Sequence, residues 1–87
     1  MSAYELSISN AVKQDVRNME HALLDRILQK IRSLTDNPFP SGCLKLKGSS
    51  SSYRVRVGDY RIIYEVNAQD RTVTVFHVRH RKDAYQK

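Results

Sequence analysis

The feature that most constrains the fold of this 87-residue chain is the stretch at residues 53–64, which reads YRVRVGDYRIIY. Apolar and polar side chains alternate on both sides of the pair Gly58-Asp59. Alternation with a period of two is typical of a half-buried strand, and a two-residue connection containing glycine favours a hairpin. The stretch therefore predicts strands at residues 53–57 and 60–66, joined by a tight turn.

A two-residue loop also fixes the register, and directly opposite residues share a face of the sheet. The predicted pairs are Val57–Tyr60, Arg56–Arg61, Val55–Ile62 and Arg54–Ile63. One face then carries the apolar side chains of Tyr53, Val55, Val57, Tyr60, Ile62 and Tyr64. The other carries Arg54, Arg56 and Arg61 on the solvent side, with Glu65 able to neutralise one of them. Because opposed like charges destabilise a sheet, this face indicates an anionic ligand.

The remaining elements follow from periodicity. Residues 4–8 alternate and predict a first strand, and Ser9 or Asn10 offers an N-cap for a helix at residues 10–19. Apolar residues at helical spacing predict a second helix at residues 20–34, which Pro38 and Pro40 terminate. Residues 44–48 predict a short strand or strand approach, residues 49–52 a mobile polar loop, and residues 72–78 a last strand. The register of the second hairpin stays open.

These elements predict an α+β fold. Two N-terminal helices form a helical hairpin that packs on the apolar face of a small, twisted antiparallel sheet, in the order β-α-α-β-β-β. The length predicts a single domain over residues 1–87. The nine residues at 79–87 are expected to add no core element.

The charge distribution favours a polyanionic partner. Residues 1–43 carry five Lys/Arg against five Asp/Glu, so the net charge of +6 lies entirely in the second half. A basic excess concentrated in one region is typical of nucleic-acid binding. Cys43 is the single cysteine, which excludes an internal disulfide and favours a reducing compartment. No membrane span or signal peptide is indicated, and we expect a cytoplasmic protein.

The order of elements, the hairpin YxVRxGDYRIIYxV and the ending VFHVRHRKDAY resemble the RelE/ParE superfamily of type II toxin–antitoxin toxins, with the RelE-like mRNA interferases as the closer branch. The resemblance covers nearly the whole chain. Its specific part is GDYRIIY and HRKDAY, whereas the helices match only in pattern. The family fold, two N-terminal helices on a small antiparallel sheet, agrees with the fold predicted from the residues.

The resemblance implies cleavage of mRNA in the ribosomal A site without a metal or cofactor. The ribose 2′-OH attacks the adjacent phosphate and leaves a 2′,3′-cyclic phosphate and a 5′-OH. By position, Arg61 matches the arginine that contacts the scissile phosphate, and Arg81 the basic residue after the last strand. Tyr85 matches the C-terminal tyrosine that stacks on a base or assists proton transfer. The implied partners are a cognate antitoxin, the ribosome and mRNA.

Further cations of the second half complete the expected site. Arg54 and Arg56 stand where the best-known branch has two lysines. We expect additional RNA contacts from Lys45, Lys47, Arg79 and Lys82. The site contains no carboxylate cluster, which argues against a two-metal nuclease.

Arginine at positions 54 and 56 changes the expected proton chemistry. A desolvated lysine can lose its proton, whereas arginine stays charged. Both arginines can hold phosphate oxygens, but neither is a general base. Proton transfer is then expected from Tyr85, from His80 or from the bound substrate, since histidine ordinarily titrates near neutrality. A surface histidine at a strand end is an equal alternative for His80, and His77 is expected to be structural.

Two other functions stay open. The first is a ParE-like toxin that inhibits DNA gyrase by binding, without RNA chemistry. The second is an inactive homologue that binds nucleic acid or sequesters an antitoxin, which the missing lysine pair allows. The set of Arg61, Arg81 and Tyr85 favours the ribonuclease, because a pure binder does not need cations converging with a tyrosine.

Overall fold

The computed structural model describes residues 4–80. The elements are β1 (Glu5–Ile8), α1 (Asn10–Asp15), α2 (His21–Asp36), β2 (Leu44–Lys45), β3 (Ser52–Val57), β4 (Tyr60–Asn67) and β5 (Thr72–His80). The strands form one sheet in the order β1-β5-β4-β3-β2. The predicted α+β class, with two helices on a small sheet, is confirmed.

The sheet is mixed rather than wholly antiparallel. Strand β1 runs parallel to β5, with Glu5 opposite Thr72 and Ile8 opposite Val75. All other neighbouring strands are antiparallel. The difference arises because the chain leaves β1 through both helices and returns as an antiparallel meander from the far edge. After that meander β5 runs in the direction of β1, a relation that strand patterns alone do not contain.

The first hairpin has the predicted register. Val57 lies opposite Tyr60 and Arg56 opposite Arg61. Gly58 has a φ of 58°, which glycine adopts without steric cost. The second hairpin has a register shift on β5, since Ile63 is opposite His77 and Tyr64 is opposite Val75. Phe76 is the extra residue of this bulge.

The core lies between α2 and the apolar face of the sheet. Its most buried members are Ile27, Ile31, Leu34, Val55, Ile62, Tyr64, Val73, Val75 and Val78. Helix α1 contributes Val12, while Val16 and Met19 pack against the core from the turn that follows α1. The apolar stripe therefore continues beyond Asp15 although the helix does not. Within residues 4–80, no helix is long and apolar enough to cross a membrane.

Two connections differ from expectation in their hydrogen bonds. Ser9 occupies the N-cap position of α1, but its hydroxyl donates to the Phe76 carbonyl at 2.9 Å instead of capping the helix. The polar loop before β3 has hydrogen bonds of its own, since the Ser49 hydroxyl accepts from the Ser52 backbone N–H at 3.0 Å. The Ser51 hydroxyl donates to Glu65 at 2.9 Å.

Candidate functional site

Within residues 4–80, four arginines share the sheet face opposite α2. The register aligns Arg56, Arg61 and Arg79 in one row across β3, β4 and β5. The adjacent row runs from Arg54 through Ile63 to His77. The sequence left the register of the second hairpin undetermined. The observed register places Arg79 beside Arg61, so the arginines of both hairpins form one cationic surface. We call this set, Arg54, Arg56, Arg61 and Arg79, the arginine face.

A cleft of about 240 Å³ opens on this surface beside strand β2. It is lined by Gly42, Leu44, Arg54, Val55, Arg56 and Arg61. The Arg56 Nε donates to the Gly58 carbonyl at 2.8 Å, which draws this side chain toward the turn of the hairpin. Guanidinium groups bind phosphate oxygens through paired N–H donors, so the cleft suits a phosphodiester.

The expectation that the Arg61 side chain is exposed to solvent is wrong. It lies on the arginine face as predicted, yet only 8 % of its surface is exposed. It lines the cleft together with Arg54 and Arg56 of the sheet and with Leu44 of β2. Burial lowers the effective dielectric around a charge and strengthens its attraction for an anion. Arg61 is therefore the anchor of the cleft and contributes to packing as well.

A second cluster lies where α1 meets the edge of β5. The Asp15 Oδ2 accepts a hydrogen bond from the Val78 backbone N–H at 2.9 Å and lies 3.2 Å from His77 Nδ1. Arg79 Nε is 3.8 Å from Asp15 Oδ1. The Arg79 Nη2 is 3.0 Å from His77 Nδ1 and 3.3 Å from Nε2. His77 is thus held between a carboxylate and a guanidinium, on the same face as the arginines.

Other predicted site residues lie elsewhere. His80 is opposite Tyr60, and their rings meet edge to face with centroids 5.2 Å apart. This row belongs to the helix side of the sheet, so His80 is not among the arginines. Lys45 is opposite Tyr53 and belongs to the helix side too. Lys47 is exposed in the turn after β2. Arg81, Lys82 and Tyr85 lie outside the described residues.

One tyrosine is removed from any acid–base role by its surroundings. Tyr64 is fully buried, and its hydroxyl donates to the Pro38 carbonyl at 2.7 Å. Burial raises the pKa of the Tyr64 phenol well above its usual range, with Cys43 and Tyr53 acting in the same direction. The phenol stays protonated and serves as a donor in the core.

Metal ligands are not grouped in this part of the molecule. Within residues 4–80, no cluster of three or more His, Cys, Asp or Glu side chains is placed to hold a metal ion. The lining of the cleft is cationic, and guanidinium groups carry no lone pair for a metal. What the cleft can do is bind an anion.

Sequence reasoning missed Asp15 and assigned His77 a structural role only. The two residues are 62 positions apart, and only the parallel pairing of β1 with β5 brings α1 alongside the end of β5. The sequence signal was limited to a carboxylate near the end of a helix and a histidine in a strand. Neither signal indicates the other.

Comparison with known proteins gives consistent matches. The family model described as ParE toxin of type II toxin-antitoxin system, parDE, matches residues 6–85. A Methanocaldococcus jannaschii protein that carries the name toxin RelE1 is 30% identical over 86 residues, which cover 95% of this chain and 96% of the relative.

Solved structures extend the likeness to three dimensions. The archaeal RelE–RelB complex of Pyrococcus horikoshii matches with a TM-score of 0.81 and 30% identity, over 91% of this chain and 96% of that one. The RelB–RelE antitoxin–toxin complex of Methanococcus jannaschii matches with a TM-score of 0.74 and 28% identity, over 91% and 94% of the two chains.

Proposed function

The chain belongs to the ParE toxin family of type II toxin–antitoxin systems, and we propose that it is a ribosome-dependent endoribonuclease that cuts mRNA. The observation that carries the proposal is the convergence of Arg54, Arg56, Arg61 and Arg79 on one face of the sheet. The relatives that carry RelE names also support the ribonuclease proposal. We take residues 1–87 as one toxin domain.

The proposed reaction needs cations more than any other group. Attack of a ribose 2′-OH on the adjacent phosphate forms the O2′–P bond and breaks the P–O5′ bond. Negative charge concentrates on the nonbridging oxygens as this happens, and preorganised donors stabilise it. Arg54 and the buried Arg61 both line the cleft and are suited to hold those oxygens. DNA lacks the attacking hydroxyl, so only RNA is a substrate.

The proposed partners follow from the same charges. The Pyrococcus and Methanococcus relatives are solved as complexes with RelB, and we propose that a cognate antitoxin holds this chain inactive. An acidic or amphipathic segment complements a cationic face. Such a segment would cover the arginine face or displace the C-terminal residues. Ribosome-bound mRNA as substrate places the site of action in the cytoplasm.

One observation favours a second candidate. The matching family model is described by the ParE toxin of parDE, which keeps inhibition of DNA gyrase by binding as the alternative. In that case the arginine face is a protein-binding surface and no RNA is cut.

The test is expression of the chain alone in bacteria, with primer extension on an abundant mRNA after a few minutes. We expect discrete cuts for the unchanged chain and about 10²-fold less cleavage for Arg54→Gln, because one donor to the phosphate is lost. Arg17→Gln removes the same charge from an exposed turn and should cut normally. Arg61 is tested as Arg61→Lys, since its burial makes truncation a packing change.

The outcomes separate the two candidates. Discrete cuts that weaken with Arg54→Gln support the ribonuclease. Growth arrest with intact message and damaged DNA supports gyrase inhibition. Equal cleavage by Arg54→Gln and Arg17→Gln would contradict the role given to the arginine face.

A further inference from the structure

The proposed cleavage lacks a general base among the residues of the cleft. Its three arginines, Arg54, Arg56 and Arg61, offer hydrogen-bond donors and no acceptor for a proton. His80 belongs to the helix side of the sheet, against Tyr60. Among the described residues, a base for the 2′-OH is sought on the arginine face, and histidine is the side chain that ordinarily carries a lone pair near neutrality.

His77 meets both conditions. It lies on the arginine face, in the row of Arg54 and one row from Arg61. Diagonal neighbours on adjacent strands are about 7–8 Å apart, within reach of one nucleotide. The side chain is 35 % exposed, which leaves it open to a substrate.

The contacts of His77 set its tautomer. The Asp15 carboxylate accepts at 3.2 Å from Nδ1, so Nδ1 carries the ring hydrogen in this arrangement. Arg79 Nη2 lies 3.0 Å from Nδ1 and 3.3 Å from Nε2, close to both ring nitrogens, so it selects neither tautomer. Because a neutral imidazole carries one ring hydrogen, Nε2 is the nitrogen that presents a lone pair. Asp15 is itself fixed by the Val78 N–H at 2.9 Å and is 18 % exposed. A carboxylate that fixes the tautomer of a histidine is the arrangement of a general base.

Resting on the proposed function, we infer that His77 is the general base of the cleavage and that Asp15 is its positioning residue. His77 Nε2 takes the proton of the 2′-OH as the O2′–P bond forms. The P–O5′ bond breaks, and the departing 5′ oxygen takes a proton from water. The imidazolium then returns its proton to the solvent.

The competing explanation is that Asp15 only attaches α1 to the edge of β5. Ser9, at the start of α1, already attaches this helix to β5. Its N–H donates to the Val75 carbonyl at 2.9 Å, and its hydroxyl donates to the Phe76 carbonyl at 2.9 Å. Attachment explains why Asp15 accepts from the Val78 N–H. It does not explain why the same carboxylate also contacts the ring of His77. The experiment must therefore separate chemistry from attachment.

The experiment measures single-turnover cleavage of a short mRNA on programmed ribosomes with the purified full chain in excess. We expect His77→Gln to cleave about 10²–10³-fold more slowly, the usual effect of losing a general base, while ribosome binding and melting temperature stay unchanged. His21→Gln, the same substitution at an exposed histidine of α2, is the matched control and should cleave normally.

Chemical rescue distinguishes a general base from a residue with a structural role only. His77→Ala should regain activity with added imidazole, whereas imidazole should not stimulate the unchanged chain or Arg54→Gln. Asp15→Asn keeps an acceptor for the Val78 N–H. It should lose about tenfold in rate with an unchanged melting temperature, because a neutral acceptor holds the imidazolium less well.

Each outcome either supports or overturns the role of His77 as general base. Slow cleavage by His77→Gln together with imidazole rescue of His77→Ala supports the inference. Normal cleavage by His77→Gln, a missing rescue, or a collapse of activity in His80→Gln instead overturns it and leaves the proposed ribonuclease standing. No cleavage by the unchanged chain on any ribosome-bound message overturns both.

Discussion

At the residue scale, Tyr64 connects the sheet to the segment that follows α2. Its ring is fully buried and lies on that of Tyr53 with centroids 6.0 Å apart, and its hydroxyl satisfies the buried Pro38 carbonyl. Tyr64→Phe leaves that carbonyl without its donor, which should lower the free energy of unfolding by about 1–3 kcal/mol. Urea denaturation at neutral pH measures this loss.

The pH dependence gives an independent check on Tyr64. Because burial raises the pKa of the folded-state phenol, its stabilising effect is complete below the ordinary tyrosine value of about 10 and declines at higher pH. The gap between Tyr64 and the Tyr64→Phe variant should narrow above that pH. Tyr53→Phe is the control and should change stability by less than about 0.5 kcal/mol. A constant gap, or an equal loss at Tyr53, would contradict the role of the buried hydroxyl.

For β3 and β4, the face that each residue occupies could be predicted, but its depth could not. Period-two alternation placed Tyr64 in the core and Arg61 on the opposite face, and both assignments hold. Arg61 is buried in a cleft that Leu44 and Gly42 also line, and the alternation of the hairpin does not reveal those neighbours. The bulge at Phe76 decides that His77 lies on the arginine face and His80 on the helix side, since one extra residue changes the face of everything after it.

At the element scale, the first hairpin was predictable because its turn and its two strands agree. Gly58 has a positive φ, as the first position of a type II′ turn requires. A Cβ at this position would meet Arg26 Nη2 at 3.8 Å, an ordinary contact. Gly58→Ala should therefore cost about 1–2 kcal/mol through the backbone conformation rather than through crowding. Denaturant midpoints measure the loss.

Asparagine supplies the matched comparison at Gly58. It tolerates a positive φ better than alanine does although it is larger. Gly58→Asn should therefore be less destabilising than Gly58→Ala. The reverse order would mean that crowding near Arg26 decides the effect and would contradict the conformational argument.

Helix ends were less predictable than helix faces. The spacing of Val12, Val16 and Met19 extended the predicted first helix to residue 19, whereas α1 ends at Asp15. The turn after α1 keeps Val16 and Met19 against the core, so the apolar stripe records packing and not backbone conformation. The second helix runs to Asp36, beyond the predicted residue 34, because Pro38 restricts only the residue before it.

At the scale of the whole molecule, β1 and β5 join the two halves of the chain. The first half supplies α2 and the Asp15 carboxylate, and the second half supplies the four arginines. The sequence predicted the layers and the charge asymmetry, because composition and periodicity are local. It did not predict the parallel pairing, since pairing between sequence-distant strands is set by packing of the assembled layers. The Asp15–His77 contact follows from that pairing.

The concentration of charge gives a prediction about binding. All of the net charge of +6 lies in the second half of the chain, and the arginine face gathers four of those cations. Binding to a single-stranded RNA should therefore weaken steeply with salt, because each neutralised phosphate releases condensed counterions. The logarithm of the affinity should fall linearly with the logarithm of the salt concentration.

The slope of this salt dependence measures how much an individual side chain contributes to RNA binding. Arg54→Gln should reduce its magnitude by about 0.7, the contribution of one phosphate contact on a single strand, whereas Arg17→Gln should leave it unchanged. Fluorescence anisotropy with a 2′-O-methyl RNA measures binding without cleavage, because the attacking hydroxyl is blocked. If both variants lowered the slope equally, the attraction would belong to the net charge and not to the arginine face. A flat slope would mean that this face binds a protein, as the gyrase alternative requires.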